Sequence, residues 1–185
     1  MPAAIPRGHP LVRLFARLTE KNFAGHLGWP DAEVIGYLTD VLTDFVHVDQ
    51  VYKIRNVQGR RVEEVAEMLA EGDLLHRAES VDREREVHRH IGDYTLFMTG
   101  IFPEFLRRLK TSKVMISPDA LLDYIQVGKR SYRIVSEFTY GPYEESAPLF
   151  RKLAENFELC VYGLGYVRAD LDRPRFQALK GRLLG

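Results

Sequence analysis

The densest cluster of reactive side chains is the run Glu84–Tyr94, which holds two histidines, His88 and His90, and the carboxylate Asp93. Histidine and carboxylate groups can act as acids, bases or metal ligands. On a helix, however, residues two apart point in nearly opposite directions, so the two histidines cannot bind one metal ion together. Each histidine also follows a glutamate by four residues, a spacing typical of a solvated helix surface. The sequence therefore predicts no metal site here.

Asp93 stands out because it interrupts Ile91–Phe102, a stretch that is otherwise apolar or small. Burying an unpaired carboxylate is costly. We therefore expect an ion pair to a basic residue on another helix, for which the candidates are Lys129, Arg130 and Arg133. The alternative is an acid that faces a ligand in a pocket of a helical bundle.

Four tyrosines fall at or near inward positions of the long predicted helices: Tyr94, Tyr124, Tyr132 and Tyr162. Inward tyrosines usually pack in a core and satisfy one hydroxyl group. They could instead line a cavity for a flat apolar ligand, because helical bundles hold ligands between helices. The candidate ligand-binding residues that follow are Asp93, Tyr94, Tyr124 and His90.

Motifs for other common chemistries are absent from the sequence. It contains no Glu-x-x-His, no His-Glu-x-x-His, no phosphate-binding glycine loop, no Gly-x-Ser-x-Gly and no Gly-x-Gly-x-x-Gly. The single cysteine, Cys160, excludes an internal disulfide and falls on an apolar helix stripe, which predicts a buried, inert thiol. No cofactor is evident, and the pattern favours a protein that is not an enzyme.

Composition and termini exclude several classes of protein. The chain has 185 residues, of which 45% are hydrophobic and 28% charged, which is typical of a globular domain. Its longest strongly apolar run, Tyr94–Phe102, is far short of the roughly 20 residues that span a membrane. The first residues include Pro2 and Pro6 and lack an apolar targeting segment. We therefore expect a cytoplasmic protein with no membrane association.

The formal net charge of +0 hides an asymmetry, because acidic side chains outnumber basic ones in residues 31–100 and the reverse holds elsewhere. This split indicates either acidic helices packed beside basic ones, which we favour, or a bipolar surface that guides association. A pI near 7.0 disfavours nucleic acid as a partner. Nucleic-acid binding would require one exposed face made by Arg107, Arg108, Lys110, Lys113, Lys129, Arg130 and Arg133.

Helical periodicity accounts for most of the chain. The predicted helices are 10–24, 31–52, 62–72, 82–102, 103–110, 118–140 and 147–167, the last capped by Ser146. A strand over residues 46–54 competes with the end of the second helix, and residues 169–174 are predicted as a loop. We expect an all-α fold, a single-domain helical bundle of about six to eight helices. The domain would cover residues 1–185, with 169–185 as a docking tail.

One segment resembles a known group of proteins. Gly92–Glu104 (GDYTLFMTGIFPE), together with Asp123–Gly128 (DYIQVG) and Tyr132, is similar to a pattern found in uncharacterised bacterial all-helical proteins. The resemblance covers mainly residues 90–135. It implies a bacterial, cytosolic origin and carries no catalytic residue over to this chain.

These observations favour a helical interaction or regulatory module that associates with itself or with another protein. The alternative is a small-molecule-binding or enzymatic bundle, with a pocket between the helices that carry Asp93 and Tyr124. A pocket on which several polar groups converge would favour the alternative.

Overall fold

The structure, a computed structural model, describes residues 5–55, 58–61, 65–72, 80–104 and 120–173. Within these residues the chain is an all-α, single-domain bundle, which confirms the predicted fold class. Its eight α-helices are α1 (Pro10–Glu20), α2 (Ala32–Asp44), α3 (Val48–Val51), α4 (Val65–Gly72), α5 (Val81–Ile101), α6 (Ala120–Ser136), α7 (Ala147–Glu155) and α8 (Phe157–Leu171). A π-helical turn, Lys21–His26, extends α1, and a 3-10 turn, Gly141–Tyr143, precedes α7.

Helix α5 is the centre of the bundle. Every residue from His90 to Ile101 is buried, because α4, α6 and α8 pack against different sides of this helix. Two threonines in this stretch bond to carbonyl groups one turn earlier: Thr95 Oγ1 lies 2.7 Å from the Ile91 oxygen, and Thr99 Oγ1 lies 2.7 Å from the Thr95 oxygen. Their hydroxyl groups are therefore satisfied without water.

Glycines let the helices around α5 approach closely. A Cβ atom on Gly92 would overlap the ring of Tyr132 on α6, and one on Gly100 would lie 2.6 Å from Cβ of Leu164 on α8. Gly128 on α6 faces Phe157 in the same way. Gly92, Gly100 and Gly128 therefore allow α6 and α8 to pack closely against α5.

The predicted helix over 31–52 is interrupted, and this prediction was wrong over residues 45–47. Helix α2 ends at Asp44, its C-cap residue Phe45 has φ −79° and ψ 1°, and α3 begins at Val48. Phe45 is still buried. Apolar positions thus face the core on both sides of the break, so their period cannot distinguish one helix from two. Residues 48–51 are helical, so the competing strand is also wrong there.

The predicted helix over 147–167 is two helices, because α7 and α8 are divided at Asn156. The backbone of Asn156 has φ −114° and ψ 27°, and its side-chain amide donates to the carbonyl oxygen of Lys152 at 2.9 Å. A side chain that bonds to a nearby carbonyl competes with the regular helix. The apolar stripe continues across the break into buried Phe157.

The predicted loop over 169–174 was wrong at its start, because α8 continues to Leu171. The reason is a buried carboxylate, Asp170, which accepts hydrogen bonds from Lys21 Nζ at 2.6 Å and Asn22 Nδ2 at 3.0 Å. This contact holds the end of α8 against the end of α1.

Several predicted elements lie outside the described residues: most of the helix over 103–110, the start of the helix over 118–140, the tail beyond 173, and four basic residues of the nucleic-acid hypothesis. The helix predicted over 118–140 ends at Ser136, so this prediction was wrong over residues 137–140. No helix in the described part of the chain is long and apolar enough to cross a membrane.

We predict that Gly128→Ala lowers the free energy of unfolding by about 1 to 3 kcal/mol, because the added methyl group collides with Phe157. The matched control is Gly165→Ala on α8, where a methyl group meets nothing within 4 Å. Its better helix propensity should raise stability by about 0.5 to 1 kcal/mol. Urea unfolding followed by circular dichroism measures both changes. If both substitutions changed the free energy of unfolding by the same amount, Gly128 would not be closely packed.

Candidate functional site

Asp93 lies where α2, α5 and α6 meet, and its side chain is buried. One carboxylate oxygen, Oδ1, accepts hydrogen bonds from the hydroxyl groups of Tyr37 at 2.5 Å and Tyr132 at 2.8 Å. The other oxygen, Oδ2, lies 3.9 Å from Nε of Arg89. We call these four residues the Asp93 cluster.

The basic partners predicted for Asp93 were wrong. Lys129 instead pairs with Glu158 at 2.6 Å, and Arg130 and Arg133 are exposed. Asp93 takes its charged partner from its own helix and its hydrogen bonds from tyrosines of two other helices. Neutral hydroxyl groups lose less hydration energy on burial than a second full charge would.

Burial dominates the electrostatics of the Asp93 cluster. It raises the pKa of the Asp93 carboxyl group above the ordinary value of 3.8, although Arg89, Tyr37 and Tyr132 oppose the shift. Burial also raises the pKa of both tyrosines well above 10.0, and the charge of Asp93 acts in the same direction. Both phenols therefore remain protonated donors at neutral pH.

The other three candidate residues lie together in a row of aromatic rings. The ring centres of His90 and Tyr94 are 6.3 Å apart, and those of Tyr94 and Tyr124 are 6.5 Å apart. The row also contains Phe45, 5.8 Å from His90, and Tyr52, 6.1 Å from Tyr94. The structure thus groups three of the four predicted residues, while the carboxylate of Asp93 is bonded to a different set.

His90 is fully buried, so the solvated surface position predicted from its spacing was wrong. Its Nε2 atom lies 3.0 Å from the carbonyl oxygen of Val51 and donates to it, which leaves Nδ1 as an unprotonated acceptor. Nδ1 has no hydrogen-bond partner within the described chain. Burial, together with the charge of Lys53, lowers the pKa of His90 from 6.5 to about 3.

Tyr162 and Cys160 test the predicted inward stripe of α8. Cys160 is fully buried, as predicted, and burial raises the pKa of its thiol to about 12. Tyr162 is 58% exposed, so its predicted inward position was wrong. It lies two residues after Cys160 and therefore on the opposite side of the helix.

Two arginines at this site were not predicted from the sequence: Arg89, a member of the Asp93 cluster, and Arg85, next to it. Arg85 and Arg89 lie one turn apart on α5, and both guanidinium groups lie near the ring of Phe150, at 5.5 Å and 6.0 Å from its centre. Arg85 also lies 4.1 Å from the ring centre of Tyr143, and Arg89 lies 5.5 Å from that of Tyr37. Aromatic faces attract cations and hold both groups in place.

The hydrogen bonds of this arginine pair are incomplete. Arg85 Nη2 donates to Ser146 Oγ at 2.9 Å, and Arg89 Nε donates to Tyr37 Oη at 3.1 Å. Ser146 was predicted to cap α7, yet its side chain makes no capping bond there. Arg85 Nε is buried and has no acceptor among the described residues.

The charges of the arginine pair are only partly compensated. Across the described residues, the one ion pair that either guanidinium group makes is the 3.9 Å contact of Arg89 with Asp93. Burial lowers the pKa of Arg85 and the positive charge of Arg89 acts in the same direction, whereas Tyr143, Tyr37 and the more distant carboxylate of Asp82 act in the opposite direction. Neighbouring guanidinium groups with unused N–H donors are suited to binding an anion. One signal was present in the sequence, because Arg85, Arg89 and Asp93 are spaced by four and share one side of α5.

Neither the arrangement of possible metal ligands nor comparison with known proteins assigns a function to this site. In the part of the chain that the structure describes, no group of three or more His, Cys, Asp or Glu side chains could hold a metal ion. No protein-family model, curated protein or solved structure matches this chain. The fold and the site define an all-α protein with a buried carboxylate cluster beside an arginine pair.

We predict that Asp93→Ala lowers the free energy of unfolding by about 2 to 4 kcal/mol, because it leaves the hydroxyl groups of Tyr37 and Tyr132 buried without an acceptor. Asp93→Asn keeps one acceptor oxygen and should cost less, but still more than Glu155→Gln at an exposed acid. Urea unfolding of the three variants measures the order of their free energies of unfolding. Asp93→Asn and Glu155→Gln with equal stability would argue against a structural role for the carboxylate.

We predict that His90 makes stability depend on pH. Its folded-state pKa is depressed to about 3 from 6.5, so between these values the unfolded chain binds a proton that the folded chain excludes. The contribution of neutral His90 to the free energy of unfolding is fully present above pH 6.5 and is lost as the pH falls towards 3. Wild-type protein should therefore lose stability relative to His90→Gln between about pH 7 and about pH 5. If the free energies of unfolding of wild type and His90→Gln changed in parallel with pH, His90 would not be the source of the pH dependence.

Proposed function

We propose that this protein is a helical binding module that holds an anionic group between Arg85 and Arg89. The observation that supports the proposal is that Arg85 is buried and that its hydrogen bonds are incomplete. Its side chain is only 9% exposed, its Nε has no acceptor, and no described carboxylate pairs with it. A buried cation without a counterion is costly, and a second cation beside it adds to that cost.

An anion would remove both costs. It could accept hydrogen bonds from Nε of Arg85 and from the terminal nitrogens of Arg89, whose side chain is 43% exposed and therefore accessible from solvent. Guanidinium groups bind phosphate and carboxylate groups through paired N–H donors. The proposed ligand is therefore a small molecule that carries a phosphate or carboxylate group.

The surrounding residues have distinct roles in this proposal. Ser146 orients Arg85, and Tyr37 orients Arg89 through the bond to its Nε. Asp93 accepts the hydrogen bond of Tyr37, so it acts on the ligand only by positioning Arg89. His90, Tyr94 and Tyr124 belong to the aromatic row and pack the core. The proposal assigns no reaction to the protein.

We also propose a second candidate function, a self-associating interaction module. It is supported by an open groove between α1 and α2, lined in part by Ala16, Ala32 and Gly36. A bacterial, cytoplasmic location is supported by the sequence pattern at Gly92–Glu104 and by the single free cysteine, Cys160, which needs no oxidising compartment.

We predict that inorganic phosphate stabilises the protein relative to chloride at the same ionic strength, because it binds the folded state. Thermal unfolding and isothermal titration calorimetry measure the effect. Arg85→Gln and Arg89→Gln should each raise the Kd for phosphate at least about tenfold, whereas the exposed control Arg151→Gln should not.

The same variants separate a binding role from a structural one. Without phosphate, Arg85→Gln should be at least as stable as wild type, because it removes an uncompensated buried charge. A large loss of stability in Arg85→Gln, with no phosphate response in the wild type, would show that Arg85 is structural and would reject the proposal.

A further inference from the structure

An open groove of about 580 Å³ lies between α1 and α2. None of the four site residues predicted from the sequence lines it. Small side chains form much of its lining: Ala16, Ala24, Ala32 and Gly36. A methyl group on Gly36 would meet nothing within 4 Å, so the backbone of α2 is open to close approach there.

The two helices that border the groove carry opposite charges on their outer sides. Helix α1 exposes Arg13 and Arg17, each one position after a residue that lines the groove. Helix α2 contains no basic residue and exposes Glu33, Asp40 and Asp44. The surface is therefore a basic edge, a groove of small residues and an acidic edge, side by side. Two further exposed charges, Arg7 before α1 and Glu20 at its C-terminal end, line the groove.

These charges are largely uncompensated within the described chain. Arg13, Arg17 and Asp40 form no ion pair with another described residue, and Glu33 pairs only at the surface with Lys152, at 2.9 Å. A partner of one charge sign would be attracted to one edge and repelled by the other. A second copy of the chain carries both edges in the same arrangement.

We propose that this surface is the interface of a homodimer whose two-fold axis runs along the groove. A rotation about that axis places α1 of each copy over α2 of the other, so the basic edge meets the acidic edge twice. A two-fold axis across the helices would instead place α1 on α1 and bring like charges together. Symmetric interfaces use one surface patch twice, and this patch is complementary to itself only in the first arrangement.

Charge reversal tests the proposal by sedimentation velocity over a range of protein concentrations. The wild type should form a dimer that weakens as salt is added. Arg13→Glu/Arg17→Glu and Glu33→Lys/Asp40→Lys should each raise the dimer Kd at least about tenfold. An equimolar mixture of the two variants should form a dimer again, because each reversed edge then meets an edge of opposite charge. Circular dichroism checks that both variants are folded.

A steric variant tests the same interface independently of charge. Gly36→Gln places a long side chain in the groove and should raise the dimer Kd at least about tenfold, whereas Gly165→Gln, at an open glycine of α8 outside the groove, should leave it unchanged. A wild-type protein that remains monomeric up to about 0.1 mM overturns the proposal. So does a dimer that neither charge reversal nor Gly36→Gln weakens, or a mixture that fails to restore it.

Discussion

The buried carboxylate of Asp93 constrains the arrangement of three helices. It lies on the central helix, α5, and can be buried only if donors from neighbouring helices reach it. Tyr37 of α2 and Tyr132 of α6 supply those donors, and Tyr132 can approach because the neighbouring position on α5 is Gly92, which has no side chain. The relative positions of α2, α5 and α6 therefore depend on one acceptor atom.

The same carboxylate connects the core to the proposed binding site. Arg89 lies one turn before Asp93 and interacts with both Asp93 and Tyr37. These two contacts orient its guanidinium group. Phe150 on α7 contacts the ring of Tyr37 and lies beside both arginines. These contacts orient the arginine pair in the absence of a ligand, and pre-orientation lowers the entropic cost of binding one.

Helix α2 contributes to both proposed surfaces. Tyr37 points towards the Asp93 cluster, whereas its neighbour Gly36 lines the open groove. Residues next to each other on a helix point about 100° apart, so a single turn of α2 can serve a buried site and an external surface. Both places carry charges that the described chain compensates only in part: a cationic pair beside the core, and basic and acidic edges along the groove.

The sequence by itself determined the all-α class, the main core-facing positions and the burial of Asp93 and Cys160, because helical periodicity and the cost of burying a carboxylate are local properties of the chain. It also singled out His90, Tyr94 and Tyr124, which the fold does bring together. Only the tertiary structure decided where helices break, as at Asn156, and which groups bond to Asp93. Those partners come from residues distant along the chain, and the choice between a tyrosine and a basic side chain depends on how much hydration each loses on packing. A charged, helical sequence pattern cannot distinguish an arginine in solvent from Arg85, which Tyr143, Ser146 and Phe150 contact from a distant part of the chain.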